Sequence, residues 1–396
     1  MALLHKFPKV FRRERWRYNM APAPKLVQLV KAPLDFETEC SPGALHGCRV
    51  ALQDAESAEA AGGAFVANAN RIYGVKIPSL PKLAAVEGRK GVYMPTRVEV
   101  DMIEFENYSF RSEVQSIDIS ESSDGSVLVG GVDSYGYASI GRVAKDWHSR
   151  SLEQPTTISQ PPRSIREAGW AGIRFDPTDP SNFAISTSMA RETVLYGDNR
   201  IARVFALGQP PMDLAFNPED GKTMIVANGN EVWVLDSRVG ESGGCVGRIL
   251  ASHIGSQIFC VRWSGSSDVV GVGGSERNLT LWEPRKWRQL CRWSNCLKEA
   301  ITGLEFSEVA PGHCYVSGMD PACVCGVWDR PPSGKGKRKQ SVLEEGSDVQ
   351  SHRGSAPSFK GDSRWLGVAG CRGGDRLAGL ASSGNLFLAS FEASRG

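Results

Sequence analysis

Several stretches of this chain hold residue types that do chemistry in other settings. His253, Ser275 and Glu276 have the composition of a nucleophilic triad, but such a triad is defined by hydrogen-bond geometry, which order in sequence does not supply. Gly221-Lys222-Thr223 has the ending of a phosphate-binding loop. That loop needs a glycine five positions before Gly221, where this chain has Phe216, and a backbone that curls round phosphates into a helix. Its neighbours read as a hairpin turn. Cys323 and Cys325 would share one face of a strand, yet a structural zinc needs two further ligands, so the pair reads as core. No His-Glu-x-x-His pair and no Gly-x-Ser-x-Gly elbow occurs, and the 6 histidines are too spread for a metal cage. The expectation is a chain with no catalytic residues, no metal and no cofactor.

Composition sets the frame in which these residues sit. With 396 residues and 41% hydrophobic content there is enough apolar material for a sizeable core. The 43 glycines, 22 prolines and 10 tryptophans favour short strands joined by tight turns, because Gly and Pro punctuate elements rather than extend them. Lys plus Arg number 46 against 44 acidic residues, so the net charge of +2 gives no global attraction to nucleic acid or anionic lipid. No run approaches the length of a membrane span, and the first thirty residues lack the apolar core of a secretory signal. The 10 cysteines are scattered and read as reduced. An intracellular protein is expected, nuclear or cytoplasmic, leaning to nuclear.

The organising pattern is internal repetition. An apolar-x-apolar or apolar-x-aromatic strand recurs at Val50-Ala51-Leu52, Ile117-Asp118-Ile119, Ile173-Arg174-Phe175, Leu214-Ala215-Phe216, Val261-Arg262-Trp263, Leu304-Glu305-Phe306 and Leu366-Gly367-Val368. Polar turns follow at 176–180, 217–221, 264–268 and 307–313, then small and β-branched second strands at 182–187, 223–228, 269–275 and 314–318. Successive first strands are spaced from 41 residues (Phe175 to Phe216) to 67 (Leu52 to Ile119), one propeller blade each with room for inserted loops.

The segment from His253 to Glu283 resembles a WD repeat. His253 stands where that family has its Gly-His pair, Ser275 ends the third strand, Glu276 takes the place of the turn Asp, and Trp282-Glu283 that of Trp-Asp. The next unit repeats the pattern with Ser317, Asp320 and Val327-Trp328-Asp329, and the preceding one ends in Val232-Trp233-Val234-Leu235-Asp236. The unit after Ile117 keeps Gly130-Gly131-Val132-Asp133 without a closing Trp-Asp. The resemblance implies an all-β, WD-repeat β-propeller over residues 46–393, with seven four-stranded blades, six or eight remaining open. It also implies that His253, Ser275, Glu276 and Trp282, with Ser317, Asp320 and Trp328, are members of hydrogen-bonded networks that stiffen the blades. The final strand, from Asn385 to Phe391, would close the ring by pairing with early chain, because closure removes exposed edges.

Residues 1–45 read as a basic, partly helical N-terminal extension. Within it Val10 to Met20 could make three helical turns with Trp16 and Met20 on one side, a partner-docking element. Residues 148–168 and 331–361 read as flexible loops. The second holds the basic cluster Lys335, Lys337, Arg338 and Lys339, either a nuclear-import signal or a solvated loop. Residues 270–285 resemble the pattern of WD-repeat substrate receptors of cullin-RING ubiquitin ligases at Glu276, Trp282, Glu283 and Arg285, which implies that Arg285 lies near the ligase adaptor. Arg238 and Arg330 end neighbouring units in the same way. The expected function is a non-catalytic protein-interaction scaffold whose rim loops bind proteins or peptides. Two alternatives stand beside it: a substrate receptor of a cullin-4 type ligase, and an RNA-assembly factor using the basic segments.

Overall fold

In the computed structural model the described residues are 23–36, 47–53, 62–78, 86–87, 93–122, 124–144, 153–158, 169–327, 348–349, 358–371 and 373–393. They form seven antiparallel sheets of four blade strands each. From the axis outward, blade 1 is Val50–Leu52, Gly62–Asn68, Arg71–Ile77 and Asp101–Ser109, and blade 2 is Val114–Glu121, Val127–Asp133, Ala138–Val143 and Glu153–Ile158. Blade 3 is Ala171–Phe175, Asn182–Thr187, Glu192–Gly197 and Arg200–Ala206; blade 4 is Pro211–Phe216, Thr223–Asn228, Glu231–Asp236 and Cys245–Leu250. Blade 5 is Ile258–Trp263, Val270–Gly274, Leu279–Glu283 and Arg288–Trp293, and blade 6 is Ile301–Phe306, His313–Gly318, Ala322–Val327 and Ser358–Lys360. Blade 7 is Trp365–Gly370, Asp375–Ala381, Asn385–Glu392 and, from the other end of the chain, Lys25–Pro33. Each innermost strand packs beside the next, and Trp365–Gly370 returns to Val50–Leu52, so the ring is closed.

All seven repeated tripeptides fall on innermost strands. Seven apolar clusters fill the seven blade interfaces, among them Val30, Val66, Leu380 and Leu388 between blades 7 and 1, and Val234, Ile258 and Val272 between blades 4 and 5. Second strands are buried along nearly their whole length, as required of a sheet covered on both faces. Small residues there admit large neighbours. A β-carbon at Gly130 would lie 2.9 Å from Phe175 Cζ of blade 3, and one at Gly131 2.6 Å from Phe110 Cζ. Cys323 and Cys325 are each 1% exposed in the cluster between blades 6 and 7 with Tyr315 and Phe359, and burial pushes both thiols up.

Three expectations change. Lys25–Pro33 lies inside the segment read as an N-terminal extension, yet it pairs antiparallel with Asn385–Glu392, Lys31 opposite Phe387, and so is the blade 7 rim. The ring therefore begins well before residue 46. Glu153–Ile158 lies in a segment read as a loop, and it is the outermost strand of blade 2. The other such segment, 331–361, supplies Ser358–Lys360 to blade 6 and Asp348–Val349 as a fifth, parallel strand on blade 5. Thr96–Arg97 adds a similar fifth strand to blade 7 beside Val30 and Lys31. At 153–158 and in 331–361 polar composition misleads, because an edge strand needs few apolar residues. The region of the basic helix, residues 10–20, lies outside the described residues. Among the described residues no helix is long and apolar enough to cross a membrane.

Candidate functional site

The innermost strands surround a cavity of about 880 Å³ that opens among the turns at Pro177, Pro218, Ser266 and Pro311. The middle residues of the repeated tripeptides are Ala51, Asp118, Arg174, Ala215, Arg262, Glu305 and Gly367, and the four charged ones line this cavity. They join blade to blade. Asp118 Oδ2 accepts the Phe175 N–H at 2.8 Å, tying blade 2 to blade 3. Arg174 donates to Ser116 Oγ at 3.4 Å and stands 3.4 Å from Asp213 Oδ1 of blade 4. Asp213 Oδ2 accepts from Arg262 Nη1 at 2.6 Å and from the Val261 N–H at 3.0 Å, both in blade 5. Arg262 Nε then lies 3.7 Å from Glu305 of blade 6. The result is a ladder of alternating charge across five blades.

Burial raises the Glu305 carboxyl, and the Arg262 and Arg174 charges offset only part of it. For Arg262 burial works against the charge, but Asp213 and Glu305 outweigh it and push the guanidinium up. Both Asp213 oxygens are engaged, and Arg262 also donates to the Val261 carbonyl at 2.9 Å. A buried carboxylate with three donors is a rivet between blades. Among the described residues no group of three or more His, Cys, Asp and Glu could hold a metal ion.

The residues expected to stiffen the blades divide into separate arrangements. Glu276 Oε1 accepts from His253 N–H at 2.7 Å, from Ser252 Oγ at 2.8 Å and meets His253 Nδ1 at 2.7 Å, while Arg292 Nη2 reaches Oε2 at 3.3 Å. Burial works against this carboxylate's charge, but the His253 N–H, Ser252 and the His253 ring hold it down at about 2. Ser275 and Trp282 are not joined to it: Ser275 Oγ accepts the Gln257 N–H at 2.9 Å, and Trp282 Nε1 donates to Thr280 Oγ1 at 3.1 Å. The His253 side chain is 73% exposed, so no buried triad forms. In blade 6, Asp320 repeats the Glu276 device by accepting the Lys298 and Ala322 N–H groups at 3.1 Å each, and Ser317 is buried. Trp328 lies outside the described residues.

Because strands alternate in direction, the turns after first strands and after third strands emerge on one side of the ring. Arg285, on the turn after Leu279–Glu283, therefore shares a face with the cavity mouth, and it is exposed. Arg238 occupies the matching turn of blade 4, but its fork closes on Asp236, with Nε to Oδ1 at 2.9 Å and Nη2 to Oδ2 at 2.7 Å. Arg330, Trp16 and the cluster Lys335, Lys337, Arg338 and Lys339 lie outside the described residues. The ladder was missed in the sequence. Its signal was present, since the tripeptides that fixed the repeat are charged at the middle position in four of seven copies. Compared with known proteins, the chain matches no family model and no curated protein.

Proposed function

We propose that this chain is a WD-repeat propeller serving as a non-catalytic platform for assembling proteins. One observation carries the reading: Asp118, Arg174, Asp213, Arg262 and Glu305 at the ring's centre bond to one another and to backbone, so these charges are used in holding blades together. What remains for partners is the surface, where a β-propeller commonly works as an interaction scaffold with rigid sheets and variable turns. The turn face with Arg285 is the first such surface. An exposed guanidinium can fork onto a carboxylate or cover apolar surface, whereas Arg238 already has its fork filled.

The narrower reading is a substrate receptor of a cullin-4 type ubiquitin ligase, supported by the resemblance of residues 270–285 and by the exposure of Arg285 beside the cavity mouth. Gentle affinity purification with cross-linking tests both levels. A platform yields stable protein partners, and a chain recovered alone in repeated preparations overturns it. A receptor yields the ligase adaptor, lost on Arg285→Ala with other partners retained. Nuclear location is part of the proposal through Lys335, Lys337, Arg338 and Lys339, and a tagged chain lacking 332–340 that stays nuclear removes it.

A further inference from the structure

The rim of the ring is uneven in charge. The outermost strand of blade 1 has Asp101, Glu104 and Glu106 and no basic residue, whereas those of blades 3, 4 and 5 have Arg200, Arg203, Arg248, Arg288 and Arg292 and no acidic residue. Two rims already take a fifth strand from the chain's own loops. On blade 5 the parallel register sets residue Asp348 opposite Arg292 and Val349 opposite Trp293.

Blade 4 ends, among the described residues, at Cys245–Leu250 with no strand beyond it. Its exposed positions fall at two-residue spacing: Val246 at 50%, Arg248, and Leu250 at 62%. Arg248 is held in place with its guanidinium 4.0 Å from the centre of the Trp233 ring, whose N–H is taken by Glu231. An open edge bearing aliphatic side chains is a template for another strand, and a single charge set among them selects which strand. Blade 3 is less suited, because Arg203 is occupied by the Asp236 and Ser237 carbonyls.

We propose that the outer edge of blade 4 docks an extended segment of a partner protein in which an acidic residue stands between two aliphatic residues at two-residue spacing. Main-chain hydrogen bonds to residues 245–250 supply the attachment, and the acid beside Arg248 supplies the selection. This deepens the platform reading by naming a partner chemistry, and it does not depend on Arg285.

The test uses the full chain and a fluorescein-labelled eight-residue peptide, Thr-Val-Thr-Glu-Thr-Val-Thr-Thr, against the same peptide with lysine for glutamate. Anisotropy should show saturable binding of the acidic peptide and about fivefold weaker binding of the basic one, the scale of one cross-strand charge pair inverted. Amide exchange should slow at 245–250. Arg248→Glu should reverse the preference. If that variant fails to fold for want of the contact with Trp233, Leu250→Asp, at an exposed position, should weaken the acidic peptide severalfold with an unchanged melting temperature. Absence of saturable binding, equal binding of the two peptides, protection away from 245–250, or an unaltered affinity in Leu250→Asp overturns the proposal. A failure here leaves partner recovery through the turn face standing, so the two readings are separable.

Discussion

Blades 2 to 6 and the seam between blades 7 and 1 meet the same demand, joining neighbouring wedges, by different means. From Asp118 to Glu305 each blade reaches the next with a charged side chain near the axis. At the seam the matching positions are Ala51 and Gly367, which carry no charge. The Arg49 N–H donates to the Leu366 carbonyl at 3.3 Å, Val50 and Leu366 share an apolar cluster, and the chain's first described strand completes its last blade. The difference teaches where each device works. Successive blades are already tethered by short connections, so side chains at the centre only have to fix their register. Blades 7 and 1 are linked along the chain too, from Pro33 to Val50; the break lies inside blade 7, where pairing of Lys25–Pro33 with Asn385–Glu392 at the periphery joins early chain to late.

The comparison can be broken most directly at the seam. Removing residues 1–33 strips away Leu26, Leu29, Val30 and Ala32, each 2% exposed or less, and should abolish the cooperative unfolding transition in urea. A truncated chain that still unfolds in one sharp step would show that the ladder alone holds the ring. The next largest effect is expected at the ladder. Asp213→Ala leaves Arg174 and Arg262 without their shared carboxylate and should cost about 3–5 kcal/mol by chemical denaturation, the usual penalty for breaking a buried ion pair from one side. A loss under about 1 kcal/mol would mean that the charges merely tolerate one another.

Smaller effects sharpen the contrast between axis and rim. Glu276→Gln replaces a charged acceptor by an amide and should cost about 1–2 kcal/mol near neutral pH. Since Glu276 titrates at about 2 in the fold against an ordinary 4.5, its stabilisation is complete above pH 4.5 and is lost as the pH falls towards 2. The Gln variant should therefore show a flatter stability curve over that window in acid titration. Arg285→Ala should change stability by less than about 0.5 kcal/mol in thermal melts, as befits an exposed side chain.

Much of the architecture was legible because each blade repeats one pattern in a short stretch. Asn182–Thr187 and Thr223–Asn228 fall where the sequence places second strands, since small and β-branched residues followed a polar turn. The strand that closes the ring was foreseen from its C-terminal half alone. Lys25–Pro33 repeats nothing else in the chain, and its partner lies more than 350 positions away, beyond the reach of local periodicity. The rim strand Glu153–Ile158 has a Pro and polar residues because edges tolerate them, so it reads as a loop. At the site, Glu276 and His253 do meet, but Trp282 finds Thr280 two residues away in its own strand. A family pattern names the residue types, and local competition for donors decides which of them bond.

The closing strand also imposes an order in time. Gln28 and Ser390, which meet in the finished ring, are 362 residues apart, and a ribosome adding about 5–20 residues per second needs roughly 20–70 s to span them. Through that interval the nascent chain displays Leu26, Leu29 and Val30 with no blade to receive them. Until blade 7 emerges, the half-made ring is the form of this protein most open to chaperones, proteases and mispairing with another unfinished copy.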